Sequence, residues 1–376
     1  PLKELEDLVI KNKLKCPKCG DSLGAPTEFH LMFSTNIGPE KTEKSTGFLR
    51  PETAQLIFAD FKTIHPISRM KLPFGIAQIG KAFRNEISPR NFLFRLREFE
   101  QFEIEFFVHP KKIKCPLYKE VKNESVNIIS GKDFKTVKVD DLLKKKVFSN
   151  EWHAYWVTSF FKWFVKFGVS SDHLRLNAHP KEKLAHYAKA CIDIEYKFPF
   201  GWKELHGNAD RGQFDLEQHQ KVSGKSQEIF DEESREKVLP YVASEPSQGI
   251  ERAILAFLFD AYVDDKKRGN IVLKLHPAIA PIKVAVLPLV KKDGLSEKGK
   301  SVFKELSEDF HCFFDEGGSI GRRYARQDEI GTPFCVTIDY DTMKDNTVTL
   351  RNRDSTKQHR VKVEELNSEV RKLLKQ

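Results

Sequence analysis

Arginines, carboxylates and aromatic rings crowd into one run, FRNEISPRNFLFRLREFEQFEIE, from Phe83 to Glu105. Guanidinium forks match phosphate and carboxylate oxygens. Carboxylates hold an ammonium group, and a flat ring stacks on a nucleobase. The set suits a triphosphate, an adenine ring and a small substrate bearing an ammonium group. To act together these side chains need a common platform. The run reads as two strands joined by a loop, with Pro89 and Asn91 supplying the turn. Before the loop, Gln78, Arg84 and Glu86 share one parity and so one strand face. After it, Arg95, Arg97, Phe99, Gln101, Glu103 and Glu105 share a face, while Phe94, Leu96, Phe102, Ile104 and Phe106 are expected to point mostly the other way. The competing reading is a solvated antiparallel face of cross-strand ion pairs. Phenylalanines on both faces argue for burial instead.

The same residues resemble motif 2 of class II aminoacyl-tRNA synthetases, in the form used by homodimeric glycyl-tRNA synthetases. Three further segments resemble that family: GFLRPETAQLIF (Gly47 to Phe58), FPFGWKELHGNADRGQFDLEQH (Phe198 to His219) and SEPSQGIERAIL (Ser244 to Leu255), the last with Arg252 as the arginine of motif 3. The resemblance implies an α+β catalytic domain, an antiparallel sheet flanked by helices, over residues 1–276, with a lysine-rich insertion at about 109–150. An α/β anticodon-binding domain is implied over residues 281–376. The implied activity is ligation of glycine to its tRNA, with ATP as a substrate and Mg²⁺ accompanying it.

Residue by residue, the resemblance implies an ATP site of Arg84, Asn85, Glu86, Phe94, Arg95, Leu96, Arg97, Glu98, Phe99, Glu204, Leu205, Gly249 and Arg252. Arg84 would meet the α-phosphate, Glu86 the adenine amino group, Arg95 or Arg97 the outer phosphates, and Glu204 Mg²⁺ or the ribose. Phe99 and Arg252 would sandwich the adenine. The resemblance implies Arg84 and Arg252 as the catalytic pair. Neither chemical step needs a protein nucleophile, only alignment and neutralised phosphate charge. The glycine site would comprise Glu52, Phe99, Glu100, Gln101, Phe102, Glu103, Glu245, Ser247 and Gly249. Glycine offers only its ammonium to grip, so carboxylates must hold it while the walls exclude a Cβ. Arg50 is expected to orient Glu52, and Arg211 and Asp215 to act as supporting structure. His206 and His219 are read as satisfied histidines without a catalytic role. Leu56 stands where the family has glycine. No counterpart of the dimer-building motif 1 is found, so either an N-terminal segment is missing or the chain has lost it. A homodimer is expected of the complete protein.

Composition sets outer bounds. The chain has 376 residues, 40% hydrophobic and 11% aromatic, enough for two domains with separate cores. A net charge of +9 favours a polyanionic partner such as tRNA. No apolar run of membrane-spanning length and no signal-peptide pattern appears. Six cysteines at irregular spacing argue for reduced thiols and a cytoplasmic location. Only Cys16 and Cys19, in CPKCG, have metal-ligand spacing. A structural zinc site needs four ligands, so a tight turn with two free thiols is preferred there to zinc.

The remaining chain reads as ordinary elements. Phe29 to Ile37 is expected as a strand, Thr53 to Phe61 as a helix, and VNIISGKDFKTVKV as a hairpin around Gly131. Glu151 to Gly168 is a strongly apolar helix, and Ile250 to Tyr262 carries the motif 3 arginine near its start. After the proline-punctuated HPAIAPI, strand and helix alternate to the end, which implies a sheet covered by helices. There Arg322, Arg323 and Arg326 fall on one predicted helix after Gly317 and Gly318, and form a candidate tRNA-binding face. Two other readings compete with a glycine–tRNA ligase. One is a catalytically silent synthetase-like nucleic-acid-binding or regulatory subunit, against which the retained arginines and glutamates speak. The other is a synthetase for threonine, proline or histidine, against which FRNEISPRN and EPSQG speak.

Overall fold

The computed structural model describes residues 2–27, 29–40 and 42–375, with the side chain of Glu43 left aside. Its centre is an eight-stranded sheet: β1 (Phe74–Phe83), β2 (Glu98–Val108), β3 (Ser125–Ser130), β4 (Asp133–Lys138), β5 (Leu174–Ala178), β6 (Ala190–Phe198), β7 (Gly201–Asp210) and β8 (Tyr241–Gly249). The spatial order is β1-β2-β8-β7-β6-β5-β3-β4. All neighbours are antiparallel except β3 and β5, which run parallel. The hairpin read around Gly131 is β3–β4, with Gly131 at φ +63°, and it forms one edge of this sheet.

Strand alternation in β2 sorts its two faces. Phe102 and Phe106 turn toward the helix Glu151–Lys166, where Phe106 lies 4.6 Å from Trp152 and Phe102 lies 6.2 Å from Phe160. Asn150 caps that helix by accepting the His153 N–H at 2.9 Å. The opposite face carries Gln101, Glu103, Glu105 and Phe107. Phe107 closes its far end against Phe61 (4.8 Å) and Phe74 (5.4 Å). Phe61 belongs to the helix Ala54–Ser68, whose buried Ala54, Ile57, Phe58 and Phe61 follow the helical repeat. Burying Ile57, Phe58 or Phe61 stabilises by roughly 1.5–3 kcal/mol each. Leu56 is on the exposed side of this helix, so a residue larger than glycine is accommodated there.

Two expectations change. Phe29 to Ile37 is not one strand: only Ser34–Asn36 pairs, with Thr46–Phe48. The motif 2 hairpin is also interrupted. Between β1 and β2 the chain makes a short 3₁₀ turn at Phe92–Phe94, entered through Asn91 (φ 59°) and Phe92 (φ 51°). A left-handed backbone at two successive residues breaks period-two alternation.

A second sheet orders Cys312–Phe314, Val284–Pro288, Phe334–Ile338, Thr347–Asn352 and Gln358–Lys362, the first three parallel and the rest antiparallel. Helices Leu295–Ser307 and Val363–Leu373 cover a core of its own around Val286, Val336 and Leu366. It joins the hairpin Tyr262–Asp265/Asn270–Leu273 through Arg268 in the hairpin turn, which donates to Arg353 O and Asp354 O. Arg351 clasps Asp328 at 2.8 and 2.9 Å, and Arg268 reaches the same carboxylate at 3.3 Å. All six cysteines are free. Among the described residues no helix is long and apolar enough to cross a membrane.

Candidate active site

Two cavities adjoin on the open face of the large sheet, and Arg84, Gln101, Glu204 and Ser247 line both. Arg84 is held between motifs. Its Nε donates to Pro51 O at 3.0 Å, and its guanidinium lies 5.3 Å from the centre of the Phe99 ring. The second cavity, about 260 Å³, brings together Glu52, Glu103, Glu245 and Ser247, which are far apart in the chain. Glu103 accepts from the Thr53 hydroxyl at 2.6 Å and from Gln101 Nε2 at 3.0 Å, and the same Gln101 nitrogen donates to Ser247 Oγ at 2.8 Å. Glu245 accepts from Arg211 NH1 at 2.6 Å. Arg211 also grips Asp215 at 2.7 and 2.8 Å and stacks on Tyr187, so it is the supporting strut expected of it.

Burial dominates the electrostatics. It raises the carboxyl of Glu103, with Glu52 adding to the rise and Thr53 opposing it. Glu245 is pushed well above the ordinary carboxylate range by burial, against the pull of Arg211. Glu105, fully buried with neither carboxyl oxygen hydrogen-bonded, is raised well above its ordinary value by burial and then by Glu245. Such a pocket gains from one added cation, because an ammonium offsets carboxylates that a single guanidinium leaves under-neutralised. His206 is buried, and burial pushes it down to about 3, with the Gln248 side chain opposing the shift. It is a neutral ring stacked 4.3 Å from Phe160.

The first cavity, about 60 Å³, is lined by Arg84, Glu86, Phe94, Arg95, Leu96, Phe99, Gly249 and Arg252. Arg252 folds across it, 4.5 Å over the Phe94 ring and 3.3 Å from the Glu204 carboxylate. Glu86 is paired with Arg95 at 2.6 Å. Glu86 and Arg252, the two side chains expected at the purine, are thus each engaged in a contact at the cavity rim.

Several expected residues lie elsewhere. Phe94 and Leu96 line the cavity together with Leu93 and Arg95, so the period-two split of faces does not hold across the 3₁₀ turn. Arg97 is exposed and donates to Glu86 O, outside both cavities. Asn85 is drawn to the N-terminal segment, its N–H on Leu31 O and its side chain on His30 O. Glu98 and Glu100 lie near Lys81, at 3.3 and 3.9 Å, on the other side of the sheet from Gln101. Phe102 belongs to the helix-packing face and Leu205 to the core. Arg50 bonds Lys81 O and does not hold Glu52, which instead accepts from Gln55. Arg323 is buried, its guanidinium donating to the carbonyls of Pro288, Leu289 and Asp315, and cannot reach tRNA. Arg326 is tied to Asp315 and Gly317 O, while Arg322 is exposed. Cys16 and Cys19 sit on a turn closed by Gly20 N–H on Cys16 O, and no third ligand joins them among the described residues. Thr53 and Tyr187 were not anticipated; a threonine beside a helix start carries no signal for a carboxylate that distant in the chain.

An antiparallel sheet with a motif 2 arginine between two cavities, and a motif 3 arginine across one of them, defines a class II aminoacyl-tRNA synthetase. The model of the class II tRNA synthetase core domain (G, H, P, S and T) matches residues 39–260, and that of the anticodon binding domain matches residues 283–373. Glycine–tRNA ligase of Clostridium kluyveri is 46% identical over 372 residues, covering 98% of this chain and 72% of that protein. The enzymes of that name from Borrelia hermsii (46% over 365 residues; 95% and 74% covered) and Thermobifida fusca (45% over 366 residues; 94% and 71%) are similarly close. The chain belongs to the glycine–tRNA ligase family.

Proposed function

We propose that this protein activates glycine with ATP and transfers it to the 3′-terminal adenosine of its tRNA. A glycine carboxylate oxygen attacks the α-phosphorus of ATP, and pyrophosphate leaves. A hydroxyl of the terminal ribose then attacks the glycyl carbonyl, and AMP leaves. Arg84 lies between the two cavities, so it serves the α-phosphate and the attacking carboxylate together. Glu52, Glu103 and Glu245 take the glycine ammonium, with Ser247 beside them. Phe99 and Arg252 enclose the adenine, with Glu86 reading its amino group and Arg95 on the outer phosphates. Glu204, on the rim of both cavities, is the carboxylate that Mg²⁺ bound to ATP would meet.

The observation that carries this reading is the convergence of Glu52, Glu103, Glu245 and Ser247 on one cavity wall beside Arg84. Residues 1–276 are assigned to catalysis and 281–376 to tRNA recognition. The assembly is read as a homodimer, which sedimentation of the complete protein tests. Six free thiols support a cytoplasmic site of action. Amino-acid-dependent ATP–pyrophosphate exchange across all amino acids tests the main reading. Glycine should support exchange, with alanine and serine far weaker, and equal exchange with alanine would overturn the carboxylate pocket.

A further inference from the structure

Cys191 and Asp193 lie two residues apart on β6, so strand alternation turns both side chains to one face. His179 follows the last residue of the paired strand β5, and its N–H donates to Cys191 O at 2.9 Å. The three side chains converge. His179 Nε2 is 2.6 Å from Asp193 Oδ2, and Cys191 Sγ is 3.9 Å from Asp193 Oδ1. One nitrogen, one sulfur and one carboxylate oxygen thus fall within 4.8 Å of one another, the one such cluster among the described residues. All three line the cavity that holds Glu52, Glu103 and Glu245.

We propose that His179, Cys191 and Asp193 form a zinc site with its fourth coordination position open to that cavity. The donor set selects the ion. A thiolate disfavours Mg²⁺ and Ca²⁺, which take oxygen, whereas mixed sulfur, nitrogen and oxygen ligands suit Zn²⁺. Tetrahedral bonds of about 2.0–2.3 Å separate ligand atoms by roughly 3.3–3.7 Å. The 2.6 Å to Asp193 Oδ2 and 3.9 Å to Asp193 Oδ1 lie on either side of that range, and all three ligand atoms lie within 4.8 Å of one another. Strand pairing fixes the backbones, with Asn177 opposite Asp193 and Ala178 opposite Ile192. Three protein ligands with one open position is the arrangement of catalytic zinc sites. Water, or the amino or carboxylate group of a small ligand in the cavity, fills the fourth place. The competing reading is a simple His179–Asp193 hydrogen bond beside a free thiol.

Metal binding needs no substrate, so its test is independent of the glycine reading. The whole chain, stripped by a chelator, is titrated with Co²⁺ and then Zn²⁺, with bound zinc counted by mass spectrometry. One zinc per chain is expected, with a thiolate-to-cobalt charge-transfer band and tetrahedral d–d bands. Stoichiometry should survive the double change Cys16→Ser and Cys19→Ser. Affinity should fall at least about 100-fold in Cys191→Ser and in His179→Gln, beyond the 10–100-fold that outer partners typically cost. Circular dichroism checks that each variant is folded, and His179→Gln, on the cavity rim, serves if Cys191→Ser is not. Absence of stoichiometric zinc, or zinc lost with Cys16 and Cys19 but kept in Cys191→Ser, overturns the proposal.

Discussion

The Thr53 hydroxyl donates to Glu103 Oε2 at 2.6 Å, although Thr53 stands at the N-cap of the helix Ala54–Ser68. A threonine there ordinarily caps the helix. Here its hydroxyl is spent on a buried carboxylate, which ties the segment carrying Glu52 to β2. Thr53→Val keeps the shape and removes the donor. Hydrogen bonds to charged groups contribute about 1.5–3 kcal/mol. The KM for glycine in pyrophosphate exchange should rise about 10-fold to 100-fold, with the KM for ATP little changed and Thr53→Ser restoring the glycine value. Equal movement of both constants would show that Thr53 acts only on the fold.

Arg84 is expected to act on the reaction rather than on stability. Arg84→Ala should lower glycine-dependent exchange by about 10²–10³, the usual scale for removing one preorganised donor. Its urea midpoint should stay near that of the unaltered protein, since Arg84 makes one backbone hydrogen bond through Nε. Wild-type exchange by this variant would place the α-phosphate elsewhere.

Arg211 shows the reverse pattern. Both it and Glu245 are buried, and Arg211→Met would leave Glu245 and Asp215 without their guanidinium. Breaking a buried pair from one side typically costs about 3–5 kcal/mol. Urea unfolding should show a loss of that order. A stability within 1 kcal/mol, roughly the size of an exposed ion pair, would mean that the carboxylates find other partners.

The buried carboxyls make stability and glycine binding respond to pH in opposite directions. Glu103, Glu105 and Glu245 all lie above their ordinary value of 4.5 in the folded state. Between that value and their folded ones, the native state holds more protons than the unfolded state. Stability therefore falls as pH rises through this window, by about 1.4 kcal/mol per pH unit for each proton of difference. Glycine binding should strengthen over the same range as the carboxylates ionise toward the ammonium. Glu105→Gln copies the neutral acid and should flatten the stability slope by up to one proton. An unchanged slope would remove Glu105 from the titrating set.

On the helix Ile320–Ile330, Arg322 and Arg323 are neighbours in different surroundings, one exposed and one buried. Arg322→Ala should weaken tRNA binding and reduce the log–log salt slope by about one. Arg323→Gln should lower stability by about 1–3 kcal/mol through the carbonyls of Pro288, Leu289 and Asp315. Removing residues 281–376 should cripple tRNA charging while largely sparing glycyl-adenylate formation. Undiminished charging by the shortened chain would refute tRNA recognition by this part.

Local pattern in the chain was enough to assign much of this molecule. The alternation from Phe99 to Phe107 separates a site face from a helix-packing face, because period two is a property of the strand itself. The helix of Arg252, the hairpin at Gly131 and the alternating elements after residue 282 follow from similarly local signals. Other features were decided only by the tertiary structure. Phe94 and Leu96 line the cavity together with Leu93 and Arg95, and the period-two split of faces does not hold across the 3₁₀ turn. Arg323 is buried while Arg322 is free, because successive helical positions point about 100° apart and only one meets the sheet. Arg252 rests on Phe94, 158 positions away, and Thr53 reaches Glu103 across 50. Contacts of that range depend on how strands order within the sheet, and no periodicity in a single stretch of chain carries that order.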